Sequence, residues 1–374
     1  METTVLHRTA QLGQSLWLDS ISRKLLLTGG LEEWIDKGAL GVTTNPAIFE
    51  QAIAGTTDYD EEIRRLAEEG KSAAEVYERL TLREVGTAAD ALRPVYDRTG
   101  GLDGYVSLEV NPLLAADAAS TVSEARRLFS ALSRPNVMIK IPATPEGIAA
   151  VATCVADGVN VNATLIFSTK QYASVARAYI EGLRQRAEKG LPLAVASVAS
   201  VFVSRIDSAV DALLAGGEGA FADLKGRAAI DNTRMTYAEF KRIFSTDDAG
   251  WRSLFEKGAR VQRPLWASTG TKNPAYSDVL YVESLIGKDT VNTVPPATLS
   301  AFLEHGKAEP RLEEDGEFAR LRLARLAEAG IDLDAVCANL LKEGVEAFNV
   351  AFEGLMKSLA KKMEGHGTGE TPKS

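Results

Sequence analysis

Lys140 lies in the apolar run VMIKIPA (137–143), flanked by Val137, Met138, Ile139, Ile141 and Pro142. A lysine is almost never fully buried without a partner, and burial disfavours its charged form. A neutral amine attacks a ketone carbonyl, and the resulting Schiff base is an electron sink for carbon–carbon cleavage. The competing reading is an edge strand with a snorkelling side chain, but a strand inside a closed barrel has no edge. Such chemistry needs two carboxylates. One takes a proton from a substrate hydroxyl as the bond breaks; the other shuttles protons as the carbinolamine loses water. Asp19 closes the run SLWLD (15–19), and Glu109 lies in YVSLEVN (105–111). Either alone fits a helix cap or an ion-pair partner; together with Lys140, at strand ends, they point to acid–base work.

Residues i and i+2 of a strand share a face, so parity groups further polar side chains with these. They are Thr43 and Asn45 in LGVTTNP (40–46), Ser107 with Glu109, Asn162 and Thr164 in VNVNATLIF (159–167), and Ser200 followed by Phe202 in LAVASVASVFV (193–203). Asp19 shares its parity with Trp17, whereas Leu108, Val110, Ile139, Ile141 and Leu165 occupy the alternate positions. A polar face repeated from strand to strand suits the mouth of a barrel. For an anionic group, Arg205 follows the sixth run in FVSRID, and Lys272 follows RPLWAST (263–269) in STGTKNP. A single loop Arg is more often a solvated surface charge. Both loops nevertheless suit a phosphate, which cations and backbone N–H groups bind.

Other chemistries are poorly supplied. The chain has three histidines (His7, His305 and His366) and two cysteines (Cys154 and Cys337), with no spacing that suggests a metal site or a disulfide framework. Zinc hydrolysis, Ser-His-Asp catalysis and zinc-dependent aldol chemistry all need placed histidines. No Walker or G-x-G-x-x-G motif follows a strand, so nucleotide cofactors lack a signature. With 42 Lys plus Arg against 51 Asp plus Glu, the net charge of −9 argues against nucleic-acid or anionic-membrane partners. The expected chemistry runs on Lys, Asp, Glu and neutral polar groups, with no metal and no cofactor.

The elements that must position these residues are eight short apolar runs: the six already given as 15–19, 40–46, 105–111, 137–143, 159–167 and 193–203, then 263–269 and TVNTVPP (290–296). Several lack hydrophobic–polar alternation, as expected for strands covered on both faces. Helical patterns at 121–133, 145–158 and 168–190 separate them. Strands alternating with helices imply parallel βαβ units, and eight of these close a (β/α)8 barrel of the TIM type. The chain of 374 residues exceeds such a barrel, so extra helices are expected between the second and third runs, between the sixth and seventh, and after the eighth. In the last of these, Phe348, Phe352, Leu355 and Leu359 recur at helical spacing, a stripe that usually faces a core. One of the two phenylalanines is a candidate cover for the site. Residues 1–361 read as one elaborated domain and 362–374 as a disordered tail. The N-terminus lacks the apolar core of a signal peptide, and the longest charge-free apolar stretch, 191–204, is too short for a membrane span; the expected location is the cytoplasm. Monomer and homodimer remain open alternatives.

These motifs resemble transaldolase. The resemblance is carried by VTTNPAIF around Thr43 and Asn45, VMIKIPAT around Lys140, VNVNATLIFS around Asn162 and Thr164, and SVFVSRID with Ser200, Phe202 and Arg205. It spans the chain from Leu16 to the C-terminal helix, and QRPLWASTGTKNPAYSD resembles the longer bacterial members. It implies a class I aldolase barrel that moves a dihydroxyacetone unit from sedoheptulose 7-phosphate to glyceraldehyde 3-phosphate in the non-oxidative pentose phosphate pathway. It further implies the Schiff base on Lys140, acid–base work at the cleaved bond by Asp19, and a catalytic water handled by Glu109 and Thr164. Asn45, Asn162 and Ser200 would hold the dihydroxyacetone hydroxyls in a pocket lined by Thr43 and Phe202, with Arg205 on the phosphate. The chain departs from the better-known pattern in having Lys272 where many members have an arginine, which loses the bidentate fork. Two rivals are a plain aldolase that releases dihydroxyacetone to water and a barrel that only binds sugar phosphates.

Overall fold

The computed structural model describes residues 3–214 and 221–364. Eight parallel strands close a barrel in sequence order: β1 (Gln14–Leu18), β2 (Val42–Thr43), β3 (Val106–Glu109), β4 (Val137–Pro142), β5 (Val161–Ile166), β6 (Ser197–Phe202), β7 (Arg263–Ala267) and β8 (Thr290–Val294). Each predicted run supplies one strand. β1 closes the ring against β8, from Gln14 opposite Thr290 to Leu18 opposite Val294. Every strand residue is buried, which is why these runs read as continuous apolar sequence: one face meets the helices and the other the barrel interior.

Local sequence starts and stops the connecting helices. The helix Pro145–Asp157 opens with Thr144, whose Oγ1 accepts from the N–H of Gly147 at 3.0 Å, and with Pro145 at its first position. It ends at Gly158, in the left-handed region at φ +88°. A hydroxyl cap, a proline at the first helical position and a terminating glycine satisfy or avoid the free backbone groups at both ends.

The expected extra helices are present. Asp60–Glu68 and Ala73–Arg98 fill the gap between β2 and β3, preceded by a short helix Pro46–Phe49 that runs into a π turn, Glu50–Ala54. Between β6 and β7 lie Ser204–Leu214, Ala228–Ile243 and Ala249–Phe255. The last helix, Leu333–Glu364, is longer than its apolar stripe suggested and includes residues 362–364 of the expected tail; residues 365–374, with His366, lie outside the described residues. Among the described residues no helix is long and apolar enough to cross a membrane.

The N-terminal end of the barrel is closed by a buried polar plug. Arg263 lies 3.2 Å from Asp103 and donates to Ser15 Oγ and the Thr290 carbonyl, both at 2.6 Å. Asp103 also accepts from Ser15 at 2.7 Å and from the Trp17 indole at 3.0 Å. A buried ion pair holds its place only when its remaining valences are met; here neighbouring strands meet most of them.

Candidate active site

At the opposite, C-terminal end, strand register assembles the site. Glu109 pairs with Lys140 across β3 and β4, and Lys140 with Asn162 across β4 and β5. Three polar side chains therefore share one level on adjacent strands. Lys140 is 5% exposed. Its Nζ donates to the Thr44 carbonyl at 3.1 Å and lies 3.6 Å from Glu109 Oε2. That second separation is an ion-pair contact but too long for a hydrogen bond. Neither Glu109 oxygen has a hydrogen-bond partner among the described residues. Burial pushes the Glu109 carboxyl up to about 7, with the positive charge of Lys140 pulling the other way. A carboxyl poised there can both give and take a proton near neutral pH.

Asp19 stands one residue past β1, with its N–H on the Val294 carbonyl at 2.9 Å. Thr43 Oγ1 donates to Asp19 Oδ1 at 2.7 Å and touches Thr293 Oγ1 on its other side. Burial raises the Asp19 pKa, opposed first by Lys140, then by the Thr43 hydrogen bond and by Lys272. Parity groups Thr43 with Asp19; Thr293, the last residue but one of β8, is not among the expected site residues, although it lies opposite Trp17 in register and so shares that face.

On the other side of Lys140, Ser200 Oγ donates to Asn162 Oδ1 at 2.6 Å, and Asn162 Nδ2 donates to Ser107 Oγ at 3.0 Å. This chain fixes the amide's orientation across β3, β5 and β6. Thr164 is also buried there, and its hydroxyl has no partner among the described residues. Directly after it Leu165 adopts φ +59°, and the β5–β6 register slips between Ala163 and Ile166. A leucine in the left-handed region costs about 1–3 kcal/mol, so this bulge is held by its surroundings. Asn45 has a more structural position than expected: its Oδ1 accepts from the Ile48 N–H at 2.9 Å and caps the helix Pro46–Phe49. Its Nδ2 and the second lone pair of Oδ1 remain for a ligand.

The cations sit outside this ring. Arg205, half-buried, holds its guanidinium 5.5 Å from the centre of the Phe202 ring. Burial draws its pKa down, and Glu343 draws it back up. Phe202 packs on Phe167 with ring centres 5.3 Å apart. Lys272 is exposed in the loop after β7, yet its charge reaches Asp19.

The last helix lies over this mouth. Gly344 meets Leu165 so closely that an added Cβ would stand 2.9 Å from Leu165 Cδ2. Cys337 Sγ donates to the Phe167 carbonyl at 3.3 Å, and Lys362 Nζ binds Asp60 and the Thr56 carbonyl, both at 2.6 Å. Phe348 places its ring centre 5.7 Å from Lys140 Nζ. Phe352 instead packs edge-on against Tyr77 at 5.3 Å, lining a cavity of about 120 Å³ that reaches Glu109 from the flank. A larger cavity of about 380 Å³, lined by Tyr105, Arg260 and Asp289, opens at the other end of the barrel, away from these groups. Among the described residues no cluster of three His, Cys, Asp or Glu side chains is placed to hold a metal.

A buried amine beside one carboxyl, facing a second carboxyl held by hydroxyls and an ordered amide, can carry out carbonyl addition with proton transfer on both sides. Known proteins point the same way. The transaldolase of Trichodesmium erythraeum is 45% identical over 97% of this chain and 99% of its own length. That of Thiobacillus denitrificans is 45% identical over 94% and 98%, and that of Neisseria gonorrhoeae 44% identical over 95% and 99%. The family model described as Transaldolase/Fructose-6-phosphate aldolase matches residues 16–359, and the chain is an enzyme of that family.

Proposed function

We propose that this enzyme, in the cytoplasm, transfers a dihydroxyacetone unit from sedoheptulose 7-phosphate to glyceraldehyde 3-phosphate through a Schiff base on Lys140, a step of the non-oxidative pentose phosphate pathway. The observation that carries the reading is the placement of buried Lys140, 3.6 Å from a carboxyl whose oxygens have no hydrogen-bond partner among the described residues.

The amine of Lys140 adds to the ketose C2. Glu109 gives a proton to the carbinolamine hydroxyl, which leaves as water alongside the Thr164 hydroxyl. Asp19 takes the proton of the C4 hydroxyl, the C3–C4 bond breaks, and its electron pair enters the imine. Erythrose 4-phosphate departs and an enamine remains on Lys140. C3 of the enamine then attacks the aldehyde carbon of glyceraldehyde 3-phosphate, and Asp19 returns its proton to the new alkoxide. Water hydrolyses the imine to give fructose 6-phosphate and free Lys140. Asn162, Ser200 and the Nδ2 of Asn45 hold the hydroxyls of the transferred unit, with Thr43 and Phe202 completing the pocket. Arg205 and Lys272 bind the phosphate, Arg205 as a fork and Lys272 as a point charge.

A coupled assay supplying both substrates and reading fructose 6-phosphate tests the reaction, and borohydride with fructose 6-phosphate tests the covalent step. Wild type should gain the mass of one reduced dihydroxyacetone adduct. Lys140→Ala should lose the adduct and at least about 10³-fold of the transfer rate. An adduct surviving in Lys140→Ala would place the Schiff base elsewhere. Rapid release of free dihydroxyacetone without an acceptor would favour a plain aldolase.

A further inference from the structure

The loop carrying Lys272 is lashed to one face of the helix Ser204–Leu214. Ser204, Asp207 and Asp211 recur at spacings of three and four, which places them on one side of a helix. Each bonds to the segment after β7. The Ser204 N–H donates to the Ser268 carbonyl at 3.1 Å, and the two serine hydroxyls meet at 3.0 Å. Asp207 Oδ2 accepts from the Tyr281 hydroxyl at 2.8 Å, and Asp211 Oδ2 from the Tyr276 hydroxyl at 2.7 Å.

The second oxygen of each carboxylate anchors the following segment. Asp207 Oδ1 accepts from the Ala229 N–H at 2.7 Å and Asp211 Oδ1 from the Gly226 N–H at 2.9 Å. Gly226, at φ +68°, seats the Tyr276 ring: a Cβ there would stand 2.8 Å from Tyr276 Cζ. Residues 272–275 are exposed, and Tyr276 is the first residue past Lys272 tied back to the barrel. The helix that receives these bonds begins at Ser204 and Arg205. Two cations distant in sequence thus belong to one hydrogen-bonded unit.

We infer that Tyr276, held by Asp211, is a positioning residue for phosphate recognition: it fixes the loop of Lys272 relative to Arg205, so that a sugar phosphate meets two cations at a set spacing. This rests on the reaction proposed above. A loop free to move would spread the Lys272 ammonium over many positions, and binding would have to order it.

Tyr276→Phe removes only the latch hydroxyl. The expected result is a rise of about tenfold in KM for both sugar phosphates and in Ki for inorganic phosphate as competitor, with kcat within about twofold of wild type. With the phosphorylated donor saturating, KM for unphosphorylated glyceraldehyde as acceptor should be unchanged. Tyr276→Phe added to Lys272→Ala should raise the phosphate Ki no further, because the latch acts through that ammonium. Equal losses with phosphorylated and unphosphorylated acceptors, fully additive effects of the two substitutions, or an unchanged phosphate Ki would each overturn the inference. Borohydride trapping of wild type separates this from the reaction itself. If wild type traps the donor and transfers it but Tyr276→Phe shows no phosphate effect, the latch fails and the Schiff base stands; if wild type traps nothing, the reaction reading fails.

Discussion

Lys140 Nζ and Glu109 Oε2 lie 3.6 Å apart on adjacent strands, opposite one another in register. The pair is close enough for the Lys140 charge to act on the Glu109 carboxyl, yet too far apart to share a hydrogen bond, so a reacting oxygen can sit beside both. Burial holds the Glu109 proton to about pH 7 against the pull of Lys140.

The rate of imine formation should therefore carry a descending limb near pH 7, as the acid form that expels water is lost. Glu109→Gln should remove that limb and slow imine formation by about 10²–10⁴-fold, read by single-turnover borohydride quench across pH. If the limb persists in the variant, it belongs to another group. A stability effect accompanies it. The folded carboxyl keeps its proton to higher pH than the unfolded one, so Glu109 costs stability as pH rises from the ordinary glutamate value of 4.5 to about 7. The denaturation midpoint of Glu109→Gln should fall less over that interval than that of wild type.

Asp19 depends on Thr43 in the same way. The Thr43 hydroxyl stabilises the Asp19 anion through a 2.7 Å bond, and a hydrogen bond to a charged group is worth about 1.5–3 kcal/mol. Thr43→Val keeps the shape and removes that donor. The carboxyl should then hold its proton to higher pH. Bond cleavage needs the anion as base, so the ascending limb of kcat should move to higher pH. Below the wild-type limb, kcat should drop about tenfold or more. An unshifted limb with a uniform loss would instead make Thr43 a contact to substrate.

Strand parity alone places Asp19, Thr43, Glu109, Lys140, Asn162, Thr164 and Ser200 at one end of one barrel, because alternate strand residues face the same way and parallel strands end together. What parity cannot show is engagement. Asn45 has the right residue type and position, but a helix begins immediately after it and its oxygen becomes a cap. Leu165 carries no glycine-like signal for a left-handed bend, and its bulge is visible only where Gly344 admits the leucine side chain. Phe348 and Phe352 share one stripe, and only tertiary packing separates the ring over Lys140 from the ring against Tyr77. The Tyr276–Asp211 contact joins residues far apart in the chain, which no local period encodes.

The plug at the far end of the barrel gives a stability prediction separable from catalysis. Removing Asp103 would leave the Arg263 guanidinium buried opposite no carboxylate, and would strip acceptors from Ser15 and Trp17. Breaking a buried pair from one side costs about 3–5 kcal/mol. Asp103→Ala should lose that much in urea unfolding, while KM for both sugar phosphates in the folded fraction stays at wild type. A loss below about 1 kcal/mol would mean that water enters the plug and solvates Arg263.

Phe348 offers the test of how transfer is kept from becoming hydrolysis. Its ring covers the Lys140 side chain at 5.7 Å on a helix pinned near both ends by Cys337 and Lys362, so truncating it opens a hole without releasing the helix. An enamine that meets a proton before it meets an aldehyde is lost as free dihydroxyacetone, and exclusion of water disfavours that route. Phe348→Ala should raise dihydroxyacetone release in the absence of acceptor and lower transfer by about tenfold. Phe352→Ala is the control. It empties a similar volume on the same helix face but removes a contact with Tyr77, so it should lose about 3–5 kcal/mol of stability with the partition between transfer and release unchanged. If both variants lose stability and neither changes the partition, Phe348 is packing alone, and the barrier to water lies in the ring of side chains around Lys140 itself.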